Sequence, residues 1–267
     1  MTTAAEALRA SPLPEREKRA LLAHALGVAR EYLLAHPEAP LAPRALERYA
    51  RMAQARAAGV PLAYLVGVQE FYGLPMQVTP AVLIPRPDTE LLVERALAAL
   101  PQDAPARVLE LGTGSGCVAI ALALARPAWQ VLATDRSVAA LEVARENGRR
   151  LGATVHWLAG DWYAPLHGRF DLIVSNPPYV AAADPHLAEL AHEPREALTD
   201  GGDGLAALRH IVAGAAAHLQ RGGQLLLEHG HDQGAAVRAL LQAKSYVGIE
   251  TFRDLAGHER VGAGRLD

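Results

Sequence analysis

The sequence predicts an α/β protein built on a doubly wound parallel sheet, with a small helical bundle ahead of it. Three observations carry that expectation. From Arg107 onward, apolar strand-like runs alternate with stretches of helical periodicity. The first of these runs leads directly into a glycine-rich turn, Gly112-Thr113-Gly114-Ser115-Gly116. The stretch before about residue 58 is instead rich in Ala, Leu, Arg and Glu and is interrupted by proline clusters.

Composition bounds what the chain can be. At 267 residues and 51% hydrophobic content it can build one mid-sized domain and a smaller partner. No run of about eighteen apolar residues reads as a membrane span. Charged residues come early (Glu6, Arg9, Glu15, Arg16, Glu17, Lys18), with no long apolar segment of the kind an export signal needs, so a cytoplasmic protein is expected. The single Cys117 excludes an intrachain disulfide and a cysteine zinc site, and on an apolar helix it reads as a buried, inert thiol. A net charge of −3 argues against a broadly basic, nucleic-acid-gripping surface. The eleven histidines are scattered without a ligand pattern, so no metal is expected.

In chain order, Leu21, Leu22, Ala25 and Leu26 recur at helical spacing, while Pro12, Pro14, Pro37, Pro40 and Pro43 cut the bundle into short helices. Between residues 60 and 88, Tyr64, Phe71, Tyr72 and Val78 are interleaved with Gly67, Gly73, Pro75, Pro80, Pro85 and Pro87, which suggests a hairpin and an extended connector. Ile84-Pro85-Arg86-Pro87-Asp88-Thr89-Glu90 then enters a helix, with Asp88 or Thr89 as its N-cap. Prolines on both sides stiffen Arg86. The arm is either a plain linker or a mount for a cation and a carboxylate facing a substrate. The domains are drawn as a helical domain at 1–75, a hairpin, linker and connecting helix at 76–100, and the α/β domain at 101–267. Strands are expected at 107–111, 130–134, 155–158, 170–174, 224–228 and about 248–252. Helices are expected at about 117–125, 137–151, 204–219 and 232–243. Ligands of such sheets bind at the carboxyl ends of the strands, so the chemistry is sought there.

The glycine turn departs from the dinucleotide pattern by its G-x-G-x-G spacing. Preceded by Glu110, it suits a ligand that lacks a pyrophosphate and carries a positive amino-acid portion, such as S-adenosylmethionine. Asp135 ends the second strand, where a carboxylate can accept both ribose hydroxyls of an adenosine or else cap the next helix. After the third strand, Gly160-Asp161-Trp162 offers an acceptor for an adenine amino group and a ring to lie against the base, or a tryptophan packed into the core. The fourth strand, Asp171-Leu172-Ile173-Val174, closes on Ser175-Asn176-Pro177-Pro178-Tyr179. Two prolines cannot extend a central strand and leave carbonyls without ladder partners. The Asn176 amide oxygen and a proline carbonyl, side by side, could hold a planar NH2 group, with Tyr179 as a wall. A proline-stiffened turn is the plain alternative.

This order of motifs resembles the class I S-adenosylmethionine-dependent methyltransferases that act on planar nitrogens. Glu70-Phe71-Tyr72-Gly73, the 79–90 arm, Glu193-Pro194-Arg195-Glu196-Ala197-Leu198, Asp203-Gly204-Leu205 and Asp254-Leu255-Ala256-Gly257-His258-Glu259-Arg260 narrow it. Together they resemble the PrmC/HemK family, the glutamine N5-methyltransferases of peptide chain release factors. Gln69, where arginine is usual, and Ser245-Tyr246-Val247 depart from the family pattern. The resemblance implies a class I methyltransferase fold of Rossmann-like type, with the N-terminal bundle recognising the substrate. The implied substrate is the glutamine of the Gly-Gly-Gln motif in class I release factors, methylated from S-adenosyl-L-methionine with S-adenosyl-L-homocysteine as product. It also implies cofactor contacts at Gly112, Thr113, Gly114, Ser115, Gly116, Asp135, Trp162 and Asn176. Glutamine contacts are implied at Asn176, Pro177, Pro178 and Tyr179, of which Asn176, Pro177 and Tyr179 are catalytic. A monomer is expected, without nucleic acid or membrane as partner. Adenine-N6 methylation of nucleic acid is the competing enzyme reading, since the clamp suits any planar NH2. A non-catalytic cofactor-binding protein is the other.

Overall fold

The computed structural model describes residues 2–164 and 166–267. The chain divides into two compact units, Met1–Val68 and Gln69–Asp267. The first holds α1 (Ala4–Ala10), α2 (Glu15–Leu26), α3 (Arg30–Ala35), α4 (Pro43–Ala57) and α5 (Leu62–Val66). Thr3 and Glu6 close a reciprocal capping box at the start of α1. Pro43 occupies the first turn of α4, where its missing N–H costs nothing. Leu8, Leu21, Leu22, Leu33, Tyr49 and Met52 form the core of this unit.

A hairpin follows, β1 (Val68–Phe71) and β2 (Leu74–Gln77). Its turn residues Tyr72 and Gly73 both have positive φ, 52° and 73°, as a tight two-residue hairpin turn requires. It therefore precedes most of the 76–100 span drawn for it from sequence. The rest of the second unit consists of α6 (Glu90–Ala99), β3 (Ala106–Leu111), α7 (Cys117–Ala125), β4 (Trp129–Asp135), α8 (Val138–Leu151), β5 (Val155–Ala159), β6 (Phe170–Ser175), α9 (Ala206–His218), β7 (Leu219–Glu228), α10 (Gly234–Ala243), β8 (Val247–Arg253) and β9 (Glu259–Arg265). The sheet has seven strands in the order β5-β4-β3-β6-β7-β9-β8. It is doubly wound as expected, and β9 is an addition, running antiparallel to both β7 and β8.

Two hydrophobic clusters cover the two faces of the sheet. One packs Leu92, Val93, Ile120 and Leu122 against Val108, Val131 and Val174. The other packs Leu208, Ile211, Val237 and Leu241 against Leu109, Ile173 and Leu225. The first seven residues of α7 are buried, as befits a helix apolar on every side. Cys117 lies there, and burial pushes its thiol up to about 12, which leaves it inert. Among the described residues, no helix is long and apolar enough to cross a membrane.

Candidate active site

Strand register decides which loops meet. Leu111 pairs with Thr134 on one side and with Ser175 on the other. Ser175 in turn pairs with Leu227, and Asp135 with Ala159. The residues that follow β3, β4, β5, β6 and β7 thus emerge at one edge of the sheet. Between β3 and β6 the winding changes direction, which opens a crevice at that edge. A cavity of about 630 Å³ lies there, lined among others by Gly112, Gly114, Asp135, Asp161, Trp162 and Asn176. Ligand pockets commonly enclose about 300–1,000 Å³.

Of the five glycine-turn residues, Gly112 and Gly114 line the cavity. Gly112 has φ 71°, and a Cβ there would stand 3.7 Å from the Trp162 ring. Thr113 and Ser115 are buried behind the turn. The Thr113 hydroxyl donates to Glu110 at 2.5 Å, and the Ser115 carbonyl accepts from Asn147 Nδ2 at 3.0 Å. Gly116, at φ 83°, opens α7 where a Cβ would come within 2.9 Å of the Trp157 ring, so packing demands this glycine. Glu110 does not line the cavity. It accepts from Thr113 and from the Ala119 N–H inside the protein, and burial raises its carboxyl to about 8. It braces the turn from within.

Asp135 lines the cavity, and each of its oxygens also accepts a backbone N–H, from Ser137 and from Gly114, both at 2.8 Å. The helix cap is Ser137, whose hydroxyl takes the Ala140 N–H. A carboxylate has about four acceptor positions, so Asp135 keeps capacity for two hydroxyls while holding Gly114 in place. Trp162, at φ 48°, packs against the second core cluster and also lines the cavity.

Asn176 lines the cavity, and its Nδ2 donates to Thr89 Oγ1 at 3.0 Å. That bond turns the amide oxygen the other way. Among the described residues, neither Asn176 Oδ1 nor the Pro177 carbonyl receives a hydrogen bond. Pro178 also lines the cavity, whereas Pro177 is buried. Tyr179 does not line it. Its hydroxyl donates to Glu228 Oε1 at 3.1 Å, and its carbonyl accepts from Gln233 Nε2 at 2.9 Å. The ring expected as a substrate wall is here a brace under the turn.

The arm before α6 spends its charges on structure. Arg86 pairs with buried Glu193, which also takes the Ile84 N–H. Asp88 pairs with Arg260 at 2.9 Å, and Glu90 accepts from Tyr72 N–H. Thr89 stands at the N-cap of α6, as one of the two expected residues, without a side-chain capping bond. It is Thr89, only 3% exposed, that reaches Asn176. Sequence reading did not single out Thr89, Asn147 or Glu228 for a role in the site. Glu228 carried a usable signal: like Asp135 and Asn176, it is a polar residue that ends an apolar strand. Among the described residues, no group of three or more His, Cys, Asp or Glu is placed to hold a metal ion.

Known proteins share this construction. Residues 1–67 match the PrmC N-terminal domain family, and residues 87–207 match the methyltransferase small domain family. A release factor glutamine methyltransferase of Burkholderia pseudomallei is 54% identical, covering 99% of this chain and 96% of that protein. One of Bordetella pertussis is 52% identical over the full length of both. The crystal structure of a methyltransferase from Pyrococcus furiosus superposes with a TM-score of 0.57 at 20% identity, covering 82% of this chain and 98% of that one, which shows the fold. The chain belongs to the release factor glutamine methyltransferase family.

Proposed function

We propose that the chain methylates the side-chain amide nitrogen of the glutamine in the Gly-Gly-Gln motif of class I release factors. The observation that carries this reading is the pair of carbonyl acceptors at the end of β6, Asn176 Oδ1 and the Pro177 carbonyl, neither of them met by a donor among the described residues. A primary amide offers two N–H groups in one plane, and two acceptors side by side fix that plane. An amide nitrogen is a poor nucleophile because its lone pair is delocalised into the carbonyl. Drawing on both N–H groups aims the nitrogen and stabilises the positive charge it takes on as it accepts the methyl group, after which one of its two protons leaves to water.

The cavity residues fit S-adenosylmethionine. Gly112 and Gly114 let backbone approach closely, Asp135 offers lone pairs to a ribose, and Trp162 gives a flat apolar face to a base. When bound, the cofactor supplies an electrophilic methyl group on a sulfonium. Thr113, Ser115 and Gly116 act from behind, by holding the shape of the turn. Tyr179 contributes by fixing the Asn176-Pro177 turn. The chain is read as a monomer, and a release factor substrate favours a cytoplasmic enzyme. The helical unit is read as the part that recognises the release factor.

The test is transfer of label from S-adenosylmethionine. Purified release factor should become labelled, and a release factor with its motif glutamine replaced should not. Label appearing on nucleic acid and not on release factor refutes the reading.

A further inference from the structure

The turn after β5 and the helix α9 bring four aromatic rings together, those of Trp162, Tyr163, His210 and His218. Tyr163 is the anchor. It is buried, its hydroxyl donates to the Ile211 carbonyl at 2.9 Å, and its ring lies on α9 at Gly214, where an added Cβ would stand 2.6 Å from two ring carbons. A glycine inside a helix costs about 0.5–1 kcal/mol relative to alanine, and here it makes the seat for that ring. His210 and His218 stand one turn to either side of Gly214, on the same face of the helix. Both stack on Tyr163, with ring centroids 6.4 Å and 4.8 Å away.

The two histidines differ in what else they meet. His210 is exposed and lines the cavity, whereas His218 does not line it. The other residues of α9 that line it are Ala206 and Ala207, which are short. His210 is therefore the first side chain of the helix with reach into the space. It meets Trp162, with ring centroids 6.1 Å apart and planes inclined by 38°. Tyr163 holds His210 from behind, and Trp162 is set by a left-handed backbone, φ 48°, that bulky residues rarely adopt. The result is a corner of two rings, contributed by different elements, at one end of the cavity.

A flat ligand ring held between two parallel rings needs them about 7 Å apart, two layers of carbon contact. At 6.1 Å and 38° the corner is too narrow for that. It suits a planar group that lies on one ring and turns its edge to the face of the other, both favoured aromatic arrangements. Adenine is the flat part of S-adenosylmethionine. Trp162 follows β5 and Asn176 follows β6, with β4 and β3 between them in the sheet. A cofactor with its methyl group at Asn176 and its ribose at Asp135, after β4, brings its base to the corner.

We propose that His210 is a cofactor-binding residue, which with Trp162 forms a two-ring corner for the adenine base. The assignment rests on the cofactor placement proposed above and not on the identity of the substrate.

The experiment is calorimetry with S-adenosyl-L-homocysteine, which binds without reacting. His210→Ala should weaken binding by about threefold to tenfold, the scale of one aromatic contact. His210→Phe, which keeps a flat ring, should stay within about twofold of wild type. His218→Ala is the control: it removes the other ring stacked on Tyr163 and none from the cavity, so its affinity should match wild type. In the methyl-transfer assay at saturating cofactor, His210→Ala should keep kcat within about twofold, because a contact to the base is the same in the ground and transition states. Unchanged affinity in His210→Ala, an equal loss in His218→Ala, a His210→Phe as weak as His210→Ala, or a larger fall in kcat at saturation each overturns the assignment. Trp162→Ala with wild-type affinity would refute the cofactor placement, and this assignment with it. A wild-type enzyme that binds S-adenosyl-L-homocysteine but fails to label release factor refutes the substrate reading alone.

Discussion

Gly204 lies far in sequence from the acceptor turn, yet the structure makes it a determinant of that turn. Its φ is +76°, and a Cβ placed on it would stand 2.2 Å from the Tyr179 carbonyl oxygen and 3.0 Å from Gln233 Nε2. Gly204→Ala therefore carries two costs. The left-handed backbone costs about 1–2 kcal/mol for a residue with a Cβ. The overlap adds displacement: real Cβ contacts essentially never fall under 3.0 Å, so against 2.2 Å the Tyr179 carbonyl must retreat by about 0.8 Å, and this is backbone, not a flexible side-chain tip. That movement strains the Gln233 bond to the same carbonyl and shifts the segment three residues after Asn176. A misplacement of about 1 Å can cost about a hundredfold in rate. Gly152 is the control, since its φ is +72° with nothing within 4 Å of an added Cβ. Gly204→Ala and Gly152→Ala should share the first cost in urea unfolding. Only Gly204→Ala should lose kcat in the methyl-transfer assay, by about tenfold to a hundredfold, with cofactor affinity kept. Equal kcat in the two variants would refute the link between Gly204 and the position of Asn176.

Asn176→Ala should lower kcat by about a hundredfold to a thousandfold, as removal of one preorganised polar group does elsewhere, while calorimetry shows much of the cofactor affinity retained. Asp135→Ala should weaken cofactor binding by about tenfold to a hundredfold, the loss of hydrogen bonds to a charged acceptor; wild-type affinity would reduce Asp135 to its contacts with Gly114 and Ser137. Burial raises Glu110 to about 8, so the folded state binds its proton more tightly than the unfolded chain, and the stability this contributes is full below about 4.5 and lost as pH rises through about 8. Urea unfolding should therefore show a loss on the order of a few kcal/mol over that window, flattened in Glu110→Gln.

The strands of the sheet were legible where burial on both faces writes an apolar run ended by a polar or glycine residue. Val108 to Leu111, Val131 to Asp135 and Leu172 to Asn176 all read that way. The last strand, β9, was not legible, and its glycines explain why. A Cβ on Gly262 would stand 2.6 Å from Val237, and one on Gly264 3.0 Å from Tyr246. Close packing of α10 and the preceding turn has removed the very side chains whose alternation marks a strand. The acceptor turn, Asp135 and Trp162 could be placed because each follows a strand end. Thr89 could not, because the partner of a hydroxyl is set by which chain segments the register brings together. Sequence reading drew attention to the charges of the arm, and the structure spends those charges on anchoring, leaving the buried neutral residue to meet Asn176.

The segments that distinguish this chain from other methyltransferases with an Asn-Pro-Pro-Tyr turn are scattered along it, and several converge on one place. Asp88 and Thr89 come from the arm, Asn176 and Tyr179 from the turn after β6, Glu228 from the end of β7, and Arg260 from β9. Burying the Glu228 carboxyl costs enough to raise it to about 7, against the pull of Thr89, Tyr179 and Arg260. An apolar residue there would favour stability, since buried charges seldom repay their desolvation. What the carboxyl does hold is the Tyr179 hydroxyl, three residues beyond Asn176. Two carbonyl acceptors suit adenine as well as glutamine, and they cannot choose between them. They serve either substrate only while both point outward, and the bond from Asn176 Nδ2 to Thr89 Oγ1 is the contact that turns the Asn176 oxygen that way.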